Sequence, residues 1–348
     1  MNKCVDVLVG LQFGSEGKGA VVSRIAQNYK GSVRVGAPNA GHSIEYKGQI
    51  YKMRTIPCAW INPDCKLFIG AGGMIDPELL MHEMQLIPVP VAGRLMVDVN
   101  TTIVTHADAD KEREAKMYEG IGSTTEGVGE AQARKVLRRS SQSPIALNLV
   151  ELQAFLVNVG QRLHEMVEKN EAILIEGTQG FGLSLNHGYY PYVTSRDVLA
   201  ASMLSDSGLA PHCVRDVIGV MRTYPIRVHG NSGPMGAREL DWTDVAERSG
   251  YGLALEPERT TVTKRIRRVS EMNWDMLQAA VRANGCTLLA ITFLDYIDHT
   301  DRGKSSWDDL SDKSRAFVHE VESRLQTPVR WLSTGPNVAD SIDLALGA

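Results

Sequence analysis

Short apolar runs alternate along the chain with longer segments in which apolar residues recur at helical spacing. Short apolar runs between turn-forming residues predict buried strands, and the amphipathic segments predict helices. Strands are predicted at Val5–Gly10, Ser32–Val35, Leu67–Ile69, Leu95–Val99, Ala172–Glu176, Val217–Met221, Thr287–Phe293 and Val329–Leu332. Helices are predicted at Gly19–Tyr29, Pro77–Gln85, Asp108–Tyr118, Pro144–Glu168, Asp197–Asp206, Asn273–Ala283 and Ser311–Leu325. This alternation indicates an α/β fold with a central, mostly parallel sheet.

The helix predicted from Pro144 has a clear start signal, because Ser143 can cap it and proline suits the first turn. Three segments rich in glycine and polar residues fit no helix or strand, namely Gly36–Ser43, Gly120–Gly129 and Arg227–Arg238. Loops of that length in a compact domain are usually functional. With no linker along the chain, we expect one large domain over residues 1–348 with long active-site loops.

The bulk composition is that of an ordinary globular protein, with 43% apolar and 22% charged residues. The net charge of -4 argues against a general affinity for nucleic acid, which needs clustered positive charge. The five cysteines form no C-x-x-C pair and indicate free thiols in a reducing cytosol. No signal peptide and no run of about 18–20 apolar residues is present. We expect a cytoplasmic protein that binds neither membranes nor nucleic acid.

A glycine-rich segment, Gly14-Ser15-Glu16-Gly17-Lys18-Gly19, follows directly on the first predicted strand. Such a turn between a strand and a helix favours phosphate binding, because its backbone N–H groups close on the anion and Lys18 adds positive charge. The alternative is a plain structural turn. The segment therefore predicts a nucleotide site similar to a P-loop.

The segment departs from the nucleotide-binding pattern G-x-x-x-x-G-K-[ST] at two positions. Gln12 stands where the first glycine belongs, and Gly19 stands where a hydroxyl would bind magnesium. Magnesium takes about six oxygen ligands, so other oxygens would have to hold it. The candidates are Ser15, Glu16 and the carbonyl of Gly41.

Two of the polar loops carry groups suited to charge stabilisation. His42 lies in Pro38-Asn39-Ala40-Gly41-His42-Ser43, and a histidine there can donate a hydrogen bond to an oxygen as negative charge builds. The segment Ile121–Gly129 offers hydroxyls and backbone N–H groups for a second phosphate. Basic residues that suit phosphate contacts follow it, namely Arg134, Lys135, Arg138 and Arg139. Surface exposure is the alternative explanation for both loops.

Further polar groups follow predicted strands, where ligands of α/β sheets bind. Gln179 in Glu176-Gly177-Thr178-Gln179-Gly180 can read a base edge, and Asp295 follows its strand as base-reading aspartates do. The segments Thr194-Ser195 and Ser333-Thr334-Gly335-Pro336 add hydroxyls. Four basic residues follow three threonines in Thr260–Arg268, which suits a dicarboxylate or several phosphates.

In this order, these segments resemble the adenylosuccinate synthetase family over essentially the whole chain. The wording that carries the resemblance is Gln12–Gly19, Asn39-Ala40-Gly41-His42, Glu176–Gly180, His187–Ser195 and Ser333–Pro336. The family joins L-aspartate to the 6-position of a purine nucleotide. A nucleoside triphosphate first phosphorylates the 6-oxo group, and the aspartate amine then displaces that phosphate. The resemblance implies Mg²⁺ as cofactor and a homodimer.

The resemblance also implies roles for individual residues. The catalytic residues would be His42, Ser15 and Lys18. The triphosphate would be bound by Ser15, Glu16, Gly17, Lys18, Gly19, Gly41, His42, Ser43, Arg267, Phe293, Asp295, Ser333 and Gly335. The purine monophosphate would be bound by Ser15, Asn39, Ser123, Thr124, Gln179, Thr194, Val228 and Arg265, with Arg138 from a second subunit. Aspartate would be bound by Thr261, Val262, Thr263 and Arg265, and magnesium by Ser15 and Gly41.

Four departures from the family pattern bear on the substrates. Ser15 replaces an aspartate that takes the N1 proton of the purine, which leaves space for a 2-amino group. Phe293 replaces a lysine of the guanine-specific triphosphate site, which favours an adenine triphosphate. Glu126 replaces an arginine, and the chain is shorter than the family usually is.

Ser15 and the short chain are similar to a phage branch of the family. That branch makes N6-succino-2-amino-2'-deoxyadenylate from dGMP, L-aspartate and ATP or dATP, and a phage protein would act in the host cytoplasm. The alternatives are an ordinary synthetase that uses IMP and GTP, an inactive copy, or a non-catalytic nucleotide-binding switch. The group that removes the N1 proton stays open between Glu16, phosphate oxygens and water.

Overall fold

The computed structural model describes residues 2–138, 143–260 and 264–345. Its helices are α1 Lys18–Ile25, α2 Pro77–Leu86, α3 His106–Glu114, α4 Met117–Ile121, α5 Val128–Val136, α6 Val159–Glu168, α7 Ala200–Ser207, α8 Trp242–Ser249, α9 Trp274–Asn284 and α10 Asp312–Leu325. Its strands are β1 Val5–Gly10, β2 Gly31–Arg34, β3 His42–Tyr46, β4 Gln49–Met53, β5 Lys66–Ile69, β6 Met74–Ile75, β7 Leu95–Asp98, β8 Thr102–Ile103, β9 Leu156–Val157, β10 Ile173–Glu176, β11 Val214–Arg222, β12 Ile226–Arg227, β13 Glu239–Leu240, β14 Arg268–Ser270, β15 Leu288–Thr292, β16 Val329–Ser333 and β17 Ser341–Asp343.

A ten-stranded sheet organises the molecule, in the order β17-β16-β15-β11-β1-β10-β2-β5-β7-β9. Neighbouring strands are parallel except β16 and β17. Strand β1 lies between β10 and β11, so later strands of the chain are added on both sides of it. Ligands of such sheets bind beyond the carboxyl ends of strands at this kind of switch point. The prediction of an α/β fold with a mostly parallel sheet is confirmed.

The central strands are apolar because both faces of the sheet are covered. All six residues of β1 are buried, and the same holds for the four residues of β10. One core packs α6, α7, α9 and α10 against the sheet, and a second packs α1 and α2 against it. Among the described residues, no helix combines the length and apolar character that crossing a bilayer requires.

The predicted strands of the central sheet all form, with bounds that differ by at most three residues at either end. The helix predicted over Pro144–Glu168 is wrong in its first half. There Ile145 forms an isolated bridge with Thr102, short 3₁₀ helices occupy 146–148 and 150–155, and β9 follows. Ser143 donates to the carbonyl of Arg134 instead of capping a helix. Tertiary pairing with the sheet edge outweighs the local start signal.

Other differences have local causes. The helix predicted over Asp108–Tyr118 divides into α3 and α4, because Lys116 adopts a left-handed conformation with φ 51°. Strands β3 and β4 form a hairpin that the sequence pattern did not predict. Helices α5 and α8 were not predicted either. The predicted loop Arg227–Arg238 begins within β12. The predicted loop Gly120–Gly129 overlaps the last residues of α4 and the first residues of α5.

Candidate active site

Three charged side chains stand at the carboxyl ends of central strands of the sheet. They are Arg34 on β2, Glu176 on β10 and Arg222 on β11, and each is at most 1% exposed. Charged residues are almost never fully buried unless they are paired. The register places Arg34 beside Glu176, so their side chains meet at the edge where the loops converge.

His42, Glu176 and Arg34 form one buried network. The Glu176 Oε1 atom lies 2.6 Å from His42 Nδ1 and 2.6 Å from Arg34 Nη1, and its Oε2 accepts from the backbone N–H of Cys58 at 2.6 Å. His42 Nδ1 lies 2.6 Å from Glu176 Oε1 and 3.1 Å from Arg34 Nη1. Because a carboxylate only accepts, the shorter contact requires a proton on Nδ1, and the imidazole donates to Glu176. This fixes the ring, and Nε2 is the ring nitrogen that remains for a ligand.

The free nitrogen of His42 is poised for a ligand. His42 is buried, and its Nε2 has no hydrogen-bond partner among the described residues. Burial, and then the charge of Arg34, lowers the pKa of His42, and the hydrogen bond to Glu176 opposes this only in part. The ring is therefore neutral near pH 7 until an anion binds near Nε2 and raises its pKa.

The network makes folding stability depend on pH. The pKa of Glu176 is held below its usual value by its hydrogen bond from His42 and the charge of Arg34, although burial alone would raise it. Both pKa values are lower in the folded chain, so the unfolded chain binds more protons in acid and stability falls as pH falls. The loss is expected below the ordinary pKa of histidine, 6.5, and further below that of glutamate, 4.5.

Urea unfolding at a series of pH values measures this dependence. The His42→Gln variant lacks the histidine contribution, so it is expected to lose less stability than the native chain between about pH 6.5 and pH 4.5. The matched control is His106→Gln, since the His106 side chain is 81% exposed. Equal slopes for the native chain and His42→Gln in that range would contradict the assignment.

Two residues of this network, His42 and Glu176, also form with Cys58 a group that has metal-ligand chemistry. Donor atoms of His42, Cys58 and Glu176 all lie within 4.8 Å of one another. Both carboxylate oxygens of Glu176 are already engaged, and the Arg34 guanidinium lies against one of them. We therefore interpret the group as an ion-pair network and not as a metal centre.

The phosphate loop binds its own glutamate. Glu16 Oε1 accepts from the backbone N–H groups of Gln12 at 3.0 Å and Gly14 at 2.7 Å, and its Oε2 lies 2.6 Å from Lys18 Nζ. Glu16 is fully buried and Lys18 is 1% exposed. The Gly14 amide belongs to the segment that sequence reasoning assigned to phosphate, whereas the Gln12 amide lies before it. The N-terminus of α1, where Gly17 provides no side-chain cap, offers further N–H groups to an anion.

Gly19 explains the missing hydroxyl of the nucleotide-binding pattern. A Cβ atom at this position would lie 2.8 Å from the Cβ of His42 and 2.9 Å from the carbonyl oxygen of Ser43. Contacts this short do not occur between real atoms, so any side chain here would displace β3. The glycine keeps the phosphate loop and His42 together.

Ser15 lies between two guanidinium groups. Its Oγ accepts from Arg267 Nη1 at 3.2 Å, and its carbonyl accepts from Arg222 Nη1 at 3.2 Å. Arg222 also pairs with both carboxylate oxygens of Glu258, just before the segment 261–263. Two guanidinium groups therefore contact Ser15, and Glu258 balances the charge of one of them, Arg222.

Phe293 lies beside the phosphate loop in a left-handed conformation, with φ 60°. The Arg222 guanidinium stacks on the Phe293 ring, 3.9 Å from its centroid. The Cε2 atom of Phe293 would lie 3.6 Å from a Cβ atom on Gly17. One face of the ring is thus used for packing. Asp295 follows in the next helical turn, where its carboxylate accepts from the Tyr251 hydroxyl at 2.7 Å.

The turn after β16 completes this end of the site. Ser333 donates to the carbonyl of Gly335 at 3.2 Å, and Arg24 of α1 donates to the same carbonyl at 3.1 Å. Helix α1, which begins at the phosphate loop, is thereby tied to the turn. The triphosphate residues predicted after β15 and at the end of β16 therefore follow adjacent parallel strands.

The residues predicted for the purine monophosphate lie on converging loops. Gln179 Nε2 donates to Asn39 Oδ1 at 3.1 Å, which joins the loops after β10 and β2. Val228 is partly buried and accepts from Ser232, and Thr194 is partly buried in the loop before α7. The segments around residues 120 and 231 meet where Asn231 donates to Gly120 at 2.7 Å.

Other predicted contacts lie at the outer side of these loops. Ser123 accepts from the backbone N–H of Thr125, and Thr124 is exposed. Arg265 donates to the Tyr118 hydroxyl at 2.5 Å, and Arg138 is exposed just after α5. The predicted aspartate residues Thr261, Val262 and Thr263 lie outside the described residues, as does Arg139 of the basic run.

Glu126, one of the four departures, pairs with Arg54 at 2.7 Å. Arg54 also donates to the carbonyl of Pro38. This pair joins the loop of His42 to the loop before α5. The acidic residue thus has a structural partner, which the sequence alone did not identify.

Sequence reasoning missed the roles of Arg34, Glu176, Arg222 and Glu258. A signal was present for three of them, because a charged residue that ends an apolar strand must find a partner. Arg34, Glu176 and Arg222 fit that rule. Glu258 gave no such signal, since it lies in a polar stretch.

The chain resembles known proteins over nearly its whole length. The model of the adenylosuccinate synthetase family matches residues 7–148 and 143–304. An adenylosuccinate synthetase of Thermococcus sibiricus is 37% identical over 343 residues, which span 97% of this chain and 98% of that protein. One from Methanocaldococcus jannaschii is 38% identical over 346 residues, which span 97% and 96%.

Two solved structures share the fold. A fully ligated adenylosuccinate synthetase from Plasmodium falciparum has a TM-score of 0.85 at 22% identity, covering 98% of this chain and 99% of its own. The succinoaminodeoxyadenylate synthetase PurZ of cyanophage S-2L, bound to dGMP and to dATP as an energy donor, has a TM-score of 0.83. It is 29% identical and covers 99% of this chain and 96% of its own. The archaeal relatives are matched end to end, so a short chain does not distinguish this protein from ordinary synthetases.

Proposed function

This chain belongs to the adenylosuccinate synthetase family of carbon–nitrogen ligases, and on that premise we propose that it joins L-aspartate to C6 of dGMP using ATP or dATP. The product would be N6-succino-2-amino-2'-deoxyadenylate. The observation that carries the choice of dGMP is Ser15, a short neutral residue at the centre of the site. The dGMP-bound PurZ structure, 29% identical, supports the choice.

The proposed reaction has two steps. The 6-oxygen of the purine attacks the γ-phosphorus as the purine N1 proton leaves, and ADP or dADP departs. The aspartate amine then attacks C6, loses a proton, and expels phosphate. Negative charge builds on the oxygen and on the transferring phosphoryl group, so preorganised donors lower the barrier.

His42 is suited to that charge. Its Nε2 is free, and the Nδ1 bond to Glu176 holds the ring in place. A bound phosphoryl group would raise the pKa of the ring, and the imidazolium would then donate from Nε2. Lys18 would assist if Glu16 released it, since its ammonium is paired with that carboxylate.

The N1 proton needs an acceptor other than an aspartate at position 15. Glu16 is a weak candidate while its carboxylate accepts from Gln12, Gly14 and Lys18. We propose that a phosphate oxygen or water takes the proton. Serine cannot do so unaided, because an ordinary hydroxyl is far too weakly acidic.

Magnesium is the cofactor of the family, and we propose that it binds between the phosphates here. The surroundings of Gly41 fit it: the residue is exposed, and the nearest heavy atom to a Cβ there lies 3.9 Å away. The carbonyl of Gly41 would be a ligand, with phosphate oxygens and water. Ser15 would join them only after its Oγ turned away from Arg267. The ion would neutralise charge on the phosphates.

We propose a homodimer that acts in the cytoplasm, or in the host cytoplasm if the protein is phage-encoded. Exposed apolar side chains lie close to Arg138 along the chain, with Val136 and Leu137 directly before it and Leu147 and Val150 shortly after it. Such groupings mark interaction surfaces. Mixing Arg138→Ala with a second inactive variant tests whether Arg138 acts across subunits, because activity should return only then.

Aspartate-dependent phosphate release with each pair of nucleotides tests the function. Turnover with dGMP and ATP or dATP is the expected result. Turnover of IMP with GTP alone would establish the ordinary synthetase, and nucleotide binding without any aspartate-dependent release would establish a switch or an inactive copy. His42, Thr263 and Arg265 are all present in the sequence, which argues against the last two, since neither needs a catalytic histidine or an aspartate site.

Replacing Ser15 with aspartate is expected to lower kcat/KM for dGMP by about 10- to 100-fold, which corresponds to the 1–3 kcal/mol of a steric mismatch. The longer side chain would occupy the space beside the 2-amino group and would be drawn towards Arg267. Activity with IMP is expected to fall less or to rise. Steady-state kinetics with both nucleotides measure the difference.

Two matched variants separate size from charge at position 15. Ser15→Asn adds the same volume without a charge, and Ser15→Ala removes the hydroxyl without adding volume. We expect Ser15→Asn to reproduce most of the loss with dGMP and Ser15→Ala little of it. Unchanged dGMP kinetics in Ser15→Asp would refute the steric argument.

A further inference from the structure

Asp295 stands where a carboxylate can read a nucleobase. It follows β15 at the carboxyl edge of the sheet, in the turn Leu294–Tyr296. Thr292 of the same strand donates to the carbonyl of Glu16 at 2.7 Å, which ties this strand end to the phosphate loop. A triphosphate on the loop would therefore bring its base towards Asp295.

The carboxylate of Asp295 is already paired with a phenol. Tyr251 donates its hydroxyl to Asp295 Oδ2 at 2.7 Å, and Arg302 donates to the Tyr251 oxygen at 3.3 Å. Asp295 is 5% exposed, whereas Tyr251 is only partly buried. The phenol therefore occupies one oxygen of a buried carboxylate and is itself more exposed than that carboxylate.

The position of Tyr251 is fixed by its neighbours. Gly250 ends α8 with φ 79°, and a Cβ there would lie 2.7 Å from His299 Nδ1, so only glycine fits. The Tyr251 ring then packs edge-on to Tyr296, with centroids 6.3 Å apart, and against His299 at 5.7 Å. A side chain held on two sides by other rings loses little entropy when it makes its hydrogen bond.

Guanine and adenine differ in what they ask of a carboxylate. Guanine presents two adjacent N–H donors, at N1 and N2, which pair with both oxygens of a free carboxylate. Adenine presents one N–H donor, at N6, beside an acceptor at N1. A carboxylate with one oxygen covered by a phenol can still serve adenine, but it cannot bind guanine through both oxygens without losing the phenol.

We propose that Tyr251 is a specificity-determining residue that blocks bidentate recognition of guanine by Asp295 and so favours an adenine triphosphate as energy donor. The inference rests on the proposed function for the existence of a triphosphate site, but not for the identity of the acceptor purine. A hydrogen bond to a charged group contributes about 1.5–3 kcal/mol. Gaining or losing one such bond between Asp295 and the base therefore suffices to change the nucleotide preference by more than tenfold.

The test compares ATP with GTP in the native protein and in Tyr251→Phe, which keeps the ring and removes the hydroxyl. The readouts are the dissociation constants of both triphosphates by calorimetry, and kcat/KM for each with whichever purine monophosphate supports turnover. Tyr251→Phe is expected to shift the ratio towards GTP by about tenfold or more.

Asp295→Asn and the double variant identify the group responsible. If the gain for GTP needs a freed carboxylate, Tyr251→Phe combined with Asp295→Asn should show none of it. The matched control is Tyr51→Phe, which removes a hydroxyl that donates to Gln49 on the exposed hairpin. If the phenylalanine variant is unstable, Tyr251→Leu, which fills part of the same space and carries no hydrogen-bond donor, serves in its place.

The outcomes are distinct from those that test the acceptor purine. An unchanged ratio in Tyr251→Phe, a gain for GTP that persists with Asp295→Asn, or a native protein that prefers GTP would each overturn the inference. A native protein that uses IMP in place of dGMP, but gains GTP use in Tyr251→Phe, would refute the proposed acceptor and support the role of Tyr251.

Discussion

Replacing His42 with alanine is expected to reduce kcat by about 10²–10³-fold, the cost of removing one preorganised donor from developing negative charge. His42 is the buried imidazole whose Nε2 has no partner among the described residues while its Nδ1 is held by Glu176. The substitution removes this donor and leaves the nucleotide-binding loops intact. The loss should therefore appear in kcat more than in the KM values of the nucleotides.

Single-turnover measurement of phosphate release locates the effect in the chemical steps. His42→Asn keeps a hydrogen-bond donor on a shorter side chain and should recover part of the rate, whereas His106→Ala, at an 81% exposed side chain, should behave as the native protein.

A second expectation concerns proton uptake by His42 when the triphosphate binds. If the imidazole gains a proton when the triphosphate binds, heats of binding should vary with the ionisation enthalpy of the buffer in the native protein and less in His42→Ala. A His42→Ala variant with native kcat would refute the assigned role.

The fold was predictable where one physical cause dominates. Strands such as β1 and β10 are apolar throughout because both faces of the sheet are covered, and that pattern can be read without a partner. The predicted helix over Pro144–Glu168 failed because Ile145 pairs with Thr102, a contact between distant parts of the chain. Capping signals at Ser143 and Pro144 are local and cannot register that competition.

The site was predictable only as a set of loops. The glycine-rich loop and His42 give signals in sequence, since their residue types suit phosphate, although a structural turn and surface exposure were the alternatives. The partners that set their chemistry are distant: Glu176 lies 134 residues from His42, and the Arg222 that supports Ser15 lies 207 residues from it. Only the strand order brings these positions to one edge of the sheet. The pairing of Glu16 with its own loop could not be predicted from the sequence either, because the same residue types are compatible with an open phosphate-binding loop.

Replacing Arg34 with methionine is expected to destabilise the fold by about 3–5 kcal/mol, the cost of leaving a buried charge without its partner. Arg34 is 1% exposed and donates to Glu176 at 2.6 Å and to the carbonyl of Ala40 at 2.7 Å. Without it the Glu176 carboxylate keeps only its bonds from His42 and the Cys58 amide, and its pKa should rise.

Urea unfolding of three variants tests this argument about charge. Adding Glu176→Gln to Arg34→Met removes the uncompensated charge, so the double variant should regain much of the stability even though it has lost one more ionic group. Arg330→Met is the matched control, because Arg330 pairs with Asp343 but its side chain is 36% exposed, and such pairs contribute at most about 1 kcal/mol. A double variant no more stable than Arg34→Met would show that Arg34 acts through packing and its bond to Ala40. Recovery in the double variant, with activity still lost, would separate the two roles of the network: the ion pair stabilises the sheet edge, and the Glu176 carboxylate also holds His42 for catalysis.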